Sequence, residues 1–131
     1  YRQDSRDIST IQLITIENEK KFSMENIKVL KEFSNDENKV IVLALESIYQ
    51  YAGGKTGEVT DYPNGNGLLI TYKDNKKTII TLMVYDEGLF VYSGELSSSG
   101  DILDNINLTS LMIVQDFETL LNTLMEDIWY F

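Results

Sequence analysis

The sequence predicts an α+β domain in which helices pack on one face of an antiparallel sheet. Three observations carry that prediction. Residues 66–96 hold three apolar stretches separated by turn chemistry, the pattern of a three-strand meander. Two longer segments, about 37–52 and 116–128, repeat apolar residues at helical spacing. The chain, at 131 residues, has the size of one domain, with no repeat, linker or low-complexity tract to divide it.

The first eight residues are polar, with two Arg and two Asp, and read as a tether ahead of a globular unit over 9–131. "TIQLITIEN", Thr10–Asn18, is β-branched and almost continuously apolar, which predicts a strand buried on both faces in a central position of the sheet. "FSMENIKVLKEF" follows. Ser23 is a good N-cap, Phe22 can staple onto the first turn, and Ile27, Leu30 and Phe33 share one helical face, so a helix is expected near 24–33. "SNDENK" interrupts that pattern. Ile41, Leu45, Ile48 and Ala52 then predict a second helix over 37–52, although Val40, Ile41 and Val42 would locally suit a strand.

The helix runs into "YAGGKTGE", Tyr51–Glu58, whose Gly54-Lys55-Thr56 matches the end of a phosphate-binding P-loop. The first glycine of that motif would fall at Tyr49. A P-loop also follows a strand and opens a helix, so that the helix N-terminus meets the phosphates. Here a helix precedes and a strand, "TGEVTDYP", is expected to follow. The sequence therefore predicts a glycine C-cap at Gly53 and no nucleotide binding.

Pro63-Asn64-Gly65 is turn chemistry before the meander. Its strands are "GLLITYKD", "KKTIITLMVYD" and "LFVYSGEL", with turns at Asp74-Asn75 and at Asp86-Glu87-Gly88. "SSSGD" is a loop. In "ILDNINLTSLMIVQ" a turn and then a strand at about 109–114 are expected. Asp116 is the expected cap of a last helix whose stripe is Phe117, Leu120, Leu121, Leu124 and Ile128, followed by the aromatic Trp129, Tyr130 and Phe131.

Composition excludes more than it selects. The chain contains no Cys and no His. That removes thiol and imidazole nucleophiles, the histidine base, zinc sites built from those ligands, and disulfides. No cofactor is implied, and any metal would need oxygen ligands. Ser97-Ser98-Ser99 has no base partner, and no Ser-x-x-Lys motif occurs. Asn107-Leu108-Thr109 is a glycosylation sequon. The net charge is −10, which repels nucleic acid and anionic lipid at long range. The charge is uneven: residues 1–66 carry 8 basic and 11 acidic side chains, residues 67–131 carry 3 and 10, and no base follows Lys77. Such a surface is either simply solvated or an acidic face for a basic partner or a divalent cation. No stretch is long and apolar enough to span a membrane.

Of the carboxylate pairs, Glu58 with Asp61 and Asp86 with Glu87, neither has surroundings that would push two pKa values apart. Asp101, Asp104, Asn105 and Asn107 could hold calcium weakly, but the glycine and distal glutamate of an EF-hand loop are lacking. The tyrosines point elsewhere. A sheet face bearing Tyr72, Tyr85 and Tyr92 beside the acids Asp86 and Glu87 would suit a protein or peptide ligand. Cross-strand aromatic packing is the alternative use of those rings.

The order of elements, an Ile-rich strand "ISTIQLITI", a helix entered through "FSMENIKVL", and "TDYP" before a Tyr-rich meander, resembles small domains carried by lipoproteins of Gram-positive bacteria. The resemblance covers residues 8–96. The chain departs from it in the second helical stretch, about 37–52, and in the C-terminal helix. It brings over no catalytic residue and implies only an exported, surface-tethered location. With the charged lead-in "YRQDSRD" and the lack of an initiator Met, it supports the expectation of a non-enzymatic binding or accessory module, extracellular and tethered. The alternative is a cytoplasmic, acidic immunity-type inhibitor of a basic toxin, since residues 78–131 hold nine acids and no base. An oxygen-ligand hydrolase ranks third.

Overall fold

The computed structural model describes residues 7–17, 22–49, 63–85, 88–108 and 110–126, with the strand placement alone for Tyr85. Its elements are β1 (Ile8–Ile16), β2 (Ile27–Glu32), α1 (Asn35–Tyr49), β3 (Gly65–Tyr72), β4 (Lys77–Tyr85), β5 (Gly88–Leu96), β6 (Ile102–Leu108) and α2 (Leu111–Met125). The six strands form one sheet in the order β2-β1-β3-β4-β5-β6, and every neighbouring pair is antiparallel.

The expected meander is present as β3, β4 and β5. Its first turn uses the residues that turn geometry favours. Asn75 adopts φ 68°, and Asp74 Oδ1 accepts from the Lys76 backbone N–H at 3.0 Å. The first strand also lies where its composition places it. β1 runs between β2 and β3, with Ile11 and Leu13 buried on one face and Ile14 and Ile16 on the other. Burial on both sides is what a near-continuous apolar run requires.

Both helices pack on a single face. Ile41, Leu45 and Ile48 of α1 and Ile113, Phe117, Leu121 and Leu124 of α2 join Ile11, Leu13, Leu68, Ile70, Tyr72, Ile80, Val91 and Leu108 in the larger core. A 15-residue helix is marginal alone in water. The buried stripe of α2 supplies what is missing, since each fully buried large apolar side chain contributes roughly 1.5–3 kcal/mol. The opposite face is not left to solvent. Ile14, Ile16, Leu69, Ile79, Met83, Phe90, Tyr92 and Leu96 form a second cluster, to which the β1–β2 connection adds Phe22 and Met24. Gly100, at φ +92°, gives Met24 room: a Cβ there would sit 2.6 Å from Met24 Cγ.

Three expectations are corrected. The helix near 24–33 is not formed. Ser23 does cap, accepting from the Glu25 N–H at 3.2 Å, but it opens only one 3-10 turn, Met24–Asn26. The chain then extends as β2 and pairs with β1 from Gln12↔Glu32 to Ile16↔Ile27. The hydrogen-bonding edge that β1 offers overrides a local helical spacing. Second, the strand expected at 109–114 lies earlier, as β6, and Leu111–Val114 are already helical. Third, Asp116 is consequently an exposed residue inside α2, whose N-cap is Ser110. The start of the other long helix differs by less. α1 begins at Asn35 because Ser34 and Glu37 form a capping box, Ser34 N–H donating to Glu37 Oε1 at 3.0 Å and Glu37 N–H to Ser34 Oγ at 3.2 Å. The expected strand "TGEVTDYP", except Pro63, the Gly53 cap and the aromatic C-terminus lie outside the described residues.

Candidate functional site

The tyrosines singled out above are separated by the sheet. Tyr72, on β3, shares the helical face with Leu68 and Ile70 and is 2% exposed. Its hydroxyl is 2.9 Å from Thr78 Oγ1, on the neighbouring strand. Tyr92, on β5, is fully buried on the opposite face with Phe90 and Leu96. Tyr85 closes β4, opposite Gly88, and Asp86 and Glu87 lie outside the described residues. The structure does not bring Tyr72 and Tyr92 together, and neither ring is open to a partner. Each ring is enclosed in the core of its own face.

The helical face nevertheless has a polar interior. The register pairs Ile80 with Ser93 and Thr78 with Glu95, so Thr78 and Ser93 are diagonal neighbours on that face. The Tyr49 hydroxyl, at the end of α1, is buried near Ser93 and Tyr72. Burial pushes the Tyr49 phenol well above its ordinary value; the nearby Ser93 hydroxyl opposes that shift and Tyr72 adds to it. A phenol so shifted keeps its proton across the physiological range. It can donate a hydrogen bond, but it is neither a base nor a ready source of protons.

The oxygen-rich stretch before α2 does not converge either. Asp104 is paired with Glu95 on the helical face, while Asn107 is paired with Tyr92 on the other. Asp101 belongs to the β5–β6 loop, where Ser99 Oγ donates to its Oδ2 at 3.1 Å. No group of three or more potential metal-ligating side chains occurs among the described residues. The sequence "GGKTG" lies outside them; α1 is the described element before it and β3 the one after it.

One end of the sheet stands out by exposure. Val84 and Leu89 are cross-strand partners at the close of the β4–β5 hairpin, and they are 74% and 43% exposed. The chain leaves β6 at Leu108, which pairs with Val91, and enters α2 after Ser110. Leu111 and Met112, 70% and 55% exposed, therefore belong to the same end. Four large apolar side chains are thus presented to solvent where β4, β5 and α2 meet. Burial would stabilise each of them, so this end of the sheet is suited to contact. Sequence reading missed it because 109–114 was expected to be a strand. The helical repeat Ile113, Phe117, Leu121, Leu124 carried the missing signal, for it turns Leu111 and Met112 away from the core.

No protein-family model, curated protein or solved structure matches this chain. Among the described residues no helix is long and apolar enough to cross a membrane.

Proposed function

We propose that the domain is a non-catalytic, protein-binding accessory module, exported and tethered at the cell surface through its polar N-terminal stretch. The observation that carries the binding role is the apolar end formed by Val84, Leu89, Leu111 and Met112. Its surroundings are acidic in sequence, with Asp86 and Glu87 at the hairpin and Asp116 and Glu118 on α2, which suits a partner that is basic around an apolar contact. The exported setting rests on the charged lead-in and on the family resemblance. The test has two arms. Affinity capture compares the wild-type domain with a Val84→Ser, Leu111→Ser variant, both checked for equal thermal stability; a partner retained only by the wild type supports the reading. Protease treatment of intact cells tests the location, which predicts cleavage without lysis.

The second reading, an immunity-type inhibitor acting in the cytoplasm, is favoured by the lack of any base after Lys77. It predicts a partner whose association rate falls steeply with salt, and a domain protected in intact cells.

A further inference from the structure

Among the described residues, the two outer strands of the sheet are unlike in charge and alike in exposed apolar content. At one edge β2 carries Lys28 and Lys31; at the other β6 carries Asp104, with Glu95 beside it on β5. Lys28 pairs with Thr15 and Lys31 with Leu13, a residue of the helix-covered core, so both lysines lie on the helical face. Asp104 pairs with Glu95, which shares its face with Val91, again the helical one. Val29 and Leu30 on β2 and Leu103 on β6 are 47%, 44% and 60% exposed. Glu32, the acid of β2, pairs with Gln12 on the other face and accepts from its Nε2 at 3.0 Å.

We propose that copies of this chain associate head to tail, β6 of one extending the sheet of the next through its β2. Strand direction alternates along β2-β1-β3-β4-β5-β6. A copy translated along the sheet therefore brings an antiparallel β2 against β6 and keeps the helices on the same side. The two strands match in length, at 6 and 7 residues. Charged side chains on an edge normally prevent such pairing. They do so here for like edges: β2 against β2 sets lysine against lysine, and β6 against β6 sets acid against acid. The unlike meeting is the one that charge favours, placing Lys28 and Lys31 beside Asp104, with Glu95 one strand further in, while Val29, Leu30 and Leu103 lose solvent contact. Because the two surfaces differ, the contact is heterologous and need not stop at a dimer.

Sedimentation velocity over a concentration series into the millimolar range tests this. The wild-type chain is expected to show a weight-average size that keeps rising past the dimer. A Lys28→Glu, Lys31→Glu variant and a Glu95→Lys, Asp104→Lys variant should each bind themselves about tenfold more weakly or worse. Their equimolar mixture should associate again, since each unlike edge then meets its complement. Circular dichroism melts establish that both variants are folded, and recovery in the mixture is itself evidence of folded partners. A wild-type chain that stays monomeric throughout overturns the proposal. So does association that the charge reversals leave unchanged, or a mixture no more associated than its components.

Discussion

The ring of Tyr92 lies across Gly94, two residues along the same strand and on the same face of the sheet. A Cβ placed on Gly94 would sit 2.7 Å from Tyr92 Cε1 and 2.9 Å from its hydroxyl oxygen. The glycine is therefore needed for space and not for an unusual backbone angle. Tyr92 is fully buried, so its ring can shift only by disturbing the core around it. Gly94→Ala is expected to destabilise the domain by about 1–3 kcal/mol, the usual cost of overpacking. Denaturant unfolding measures it. A double-mutant cycle with Tyr92→Leu should show coupling between the two positions, and additive effects would disprove the contact as the cause.

The capping box at the start of α1 gives a second prediction. Ser34→Ala should cost about 1 kcal/mol. Glu37 adds a dependence on pH. Its carboxyl is held below its ordinary value, chiefly by the backbone N–H of Ser34, with the Ser34 hydroxyl and Lys31 assisting against desolvation. A depressed folded pKa means stabilisation that is present above the unfolded value and lost as pH falls through the folded one. Thermal melts of wild type and Glu37→Gln should therefore converge on acidification and separate near neutrality.

Tyr49 gives the opposite sign at the other end of the scale. Its phenol is raised above the ordinary 10.0 by burial. The unfolded chain releases this proton first as pH rises, so the native state is favoured below about pH 10 and loses that advantage above it, by at most about 1.4 kcal/mol per pH unit. Tyr49→Phe should flatten the alkaline limb of the stability curve. An unchanged limb would show that Tyr49 titrates alike in both states.

The buried hydroxyl pair on β3 and β4 supplies a fourth. Tyr72→Phe removes the partner of Thr78 Oγ1, an atom within a residue 1% exposed. Leaving a buried polar group unmatched costs about 1–3 kcal/mol. Replacing both, Tyr72→Phe with Thr78→Val, should cost less than the sum of the single changes. Urea unfolding of the four proteins decides the matter.

What the sequence made legible follows from where each element sits. The meander and β1 announce themselves because their side chains are sorted by burial, and burial writes a pattern. β2 does not, because Lys28, Val29, Leu30 and Glu32 are all exposed and no buried face imposes alternation. The spacing of Ile27, Leu30 and Phe33 then imitates a helix, and only the neighbouring strand reveals otherwise. The S-N-D-E run at Ser34–Glu37 was readable as a capping box and would have corrected the start of α1. In the same way, the four-residue repeat beginning at Ile113 outweighs the strand-like run Leu111–Val114. The site was less legible. Whether two tyrosines share a face depends on register, and register between distant strands is set by tertiary packing and not by local spacing.

The place of β1 also predicts an order of assembly. Strands β3 to β6 pair with their neighbours in sequence, so their hairpins close over short loops. β1 must instead reach across the chain, Ile16 to Gly65 and Ile8 to Tyr72. Its docking is therefore expected to come last. Substitutions within β4 and β5 should slow folding, whereas Leu13→Ala should chiefly hasten unfolding, an outcome that stopped-flow chevrons distinguish. Until β1 arrives, the inner edge of β3 stays open and both cores lack Ile11, Leu13, Ile14 and Ile16. β1, made before the other described strands of this sheet, is thus expected to complete it, and the interval before it docks is when a crowded chain is most exposed to pairing with the wrong neighbour.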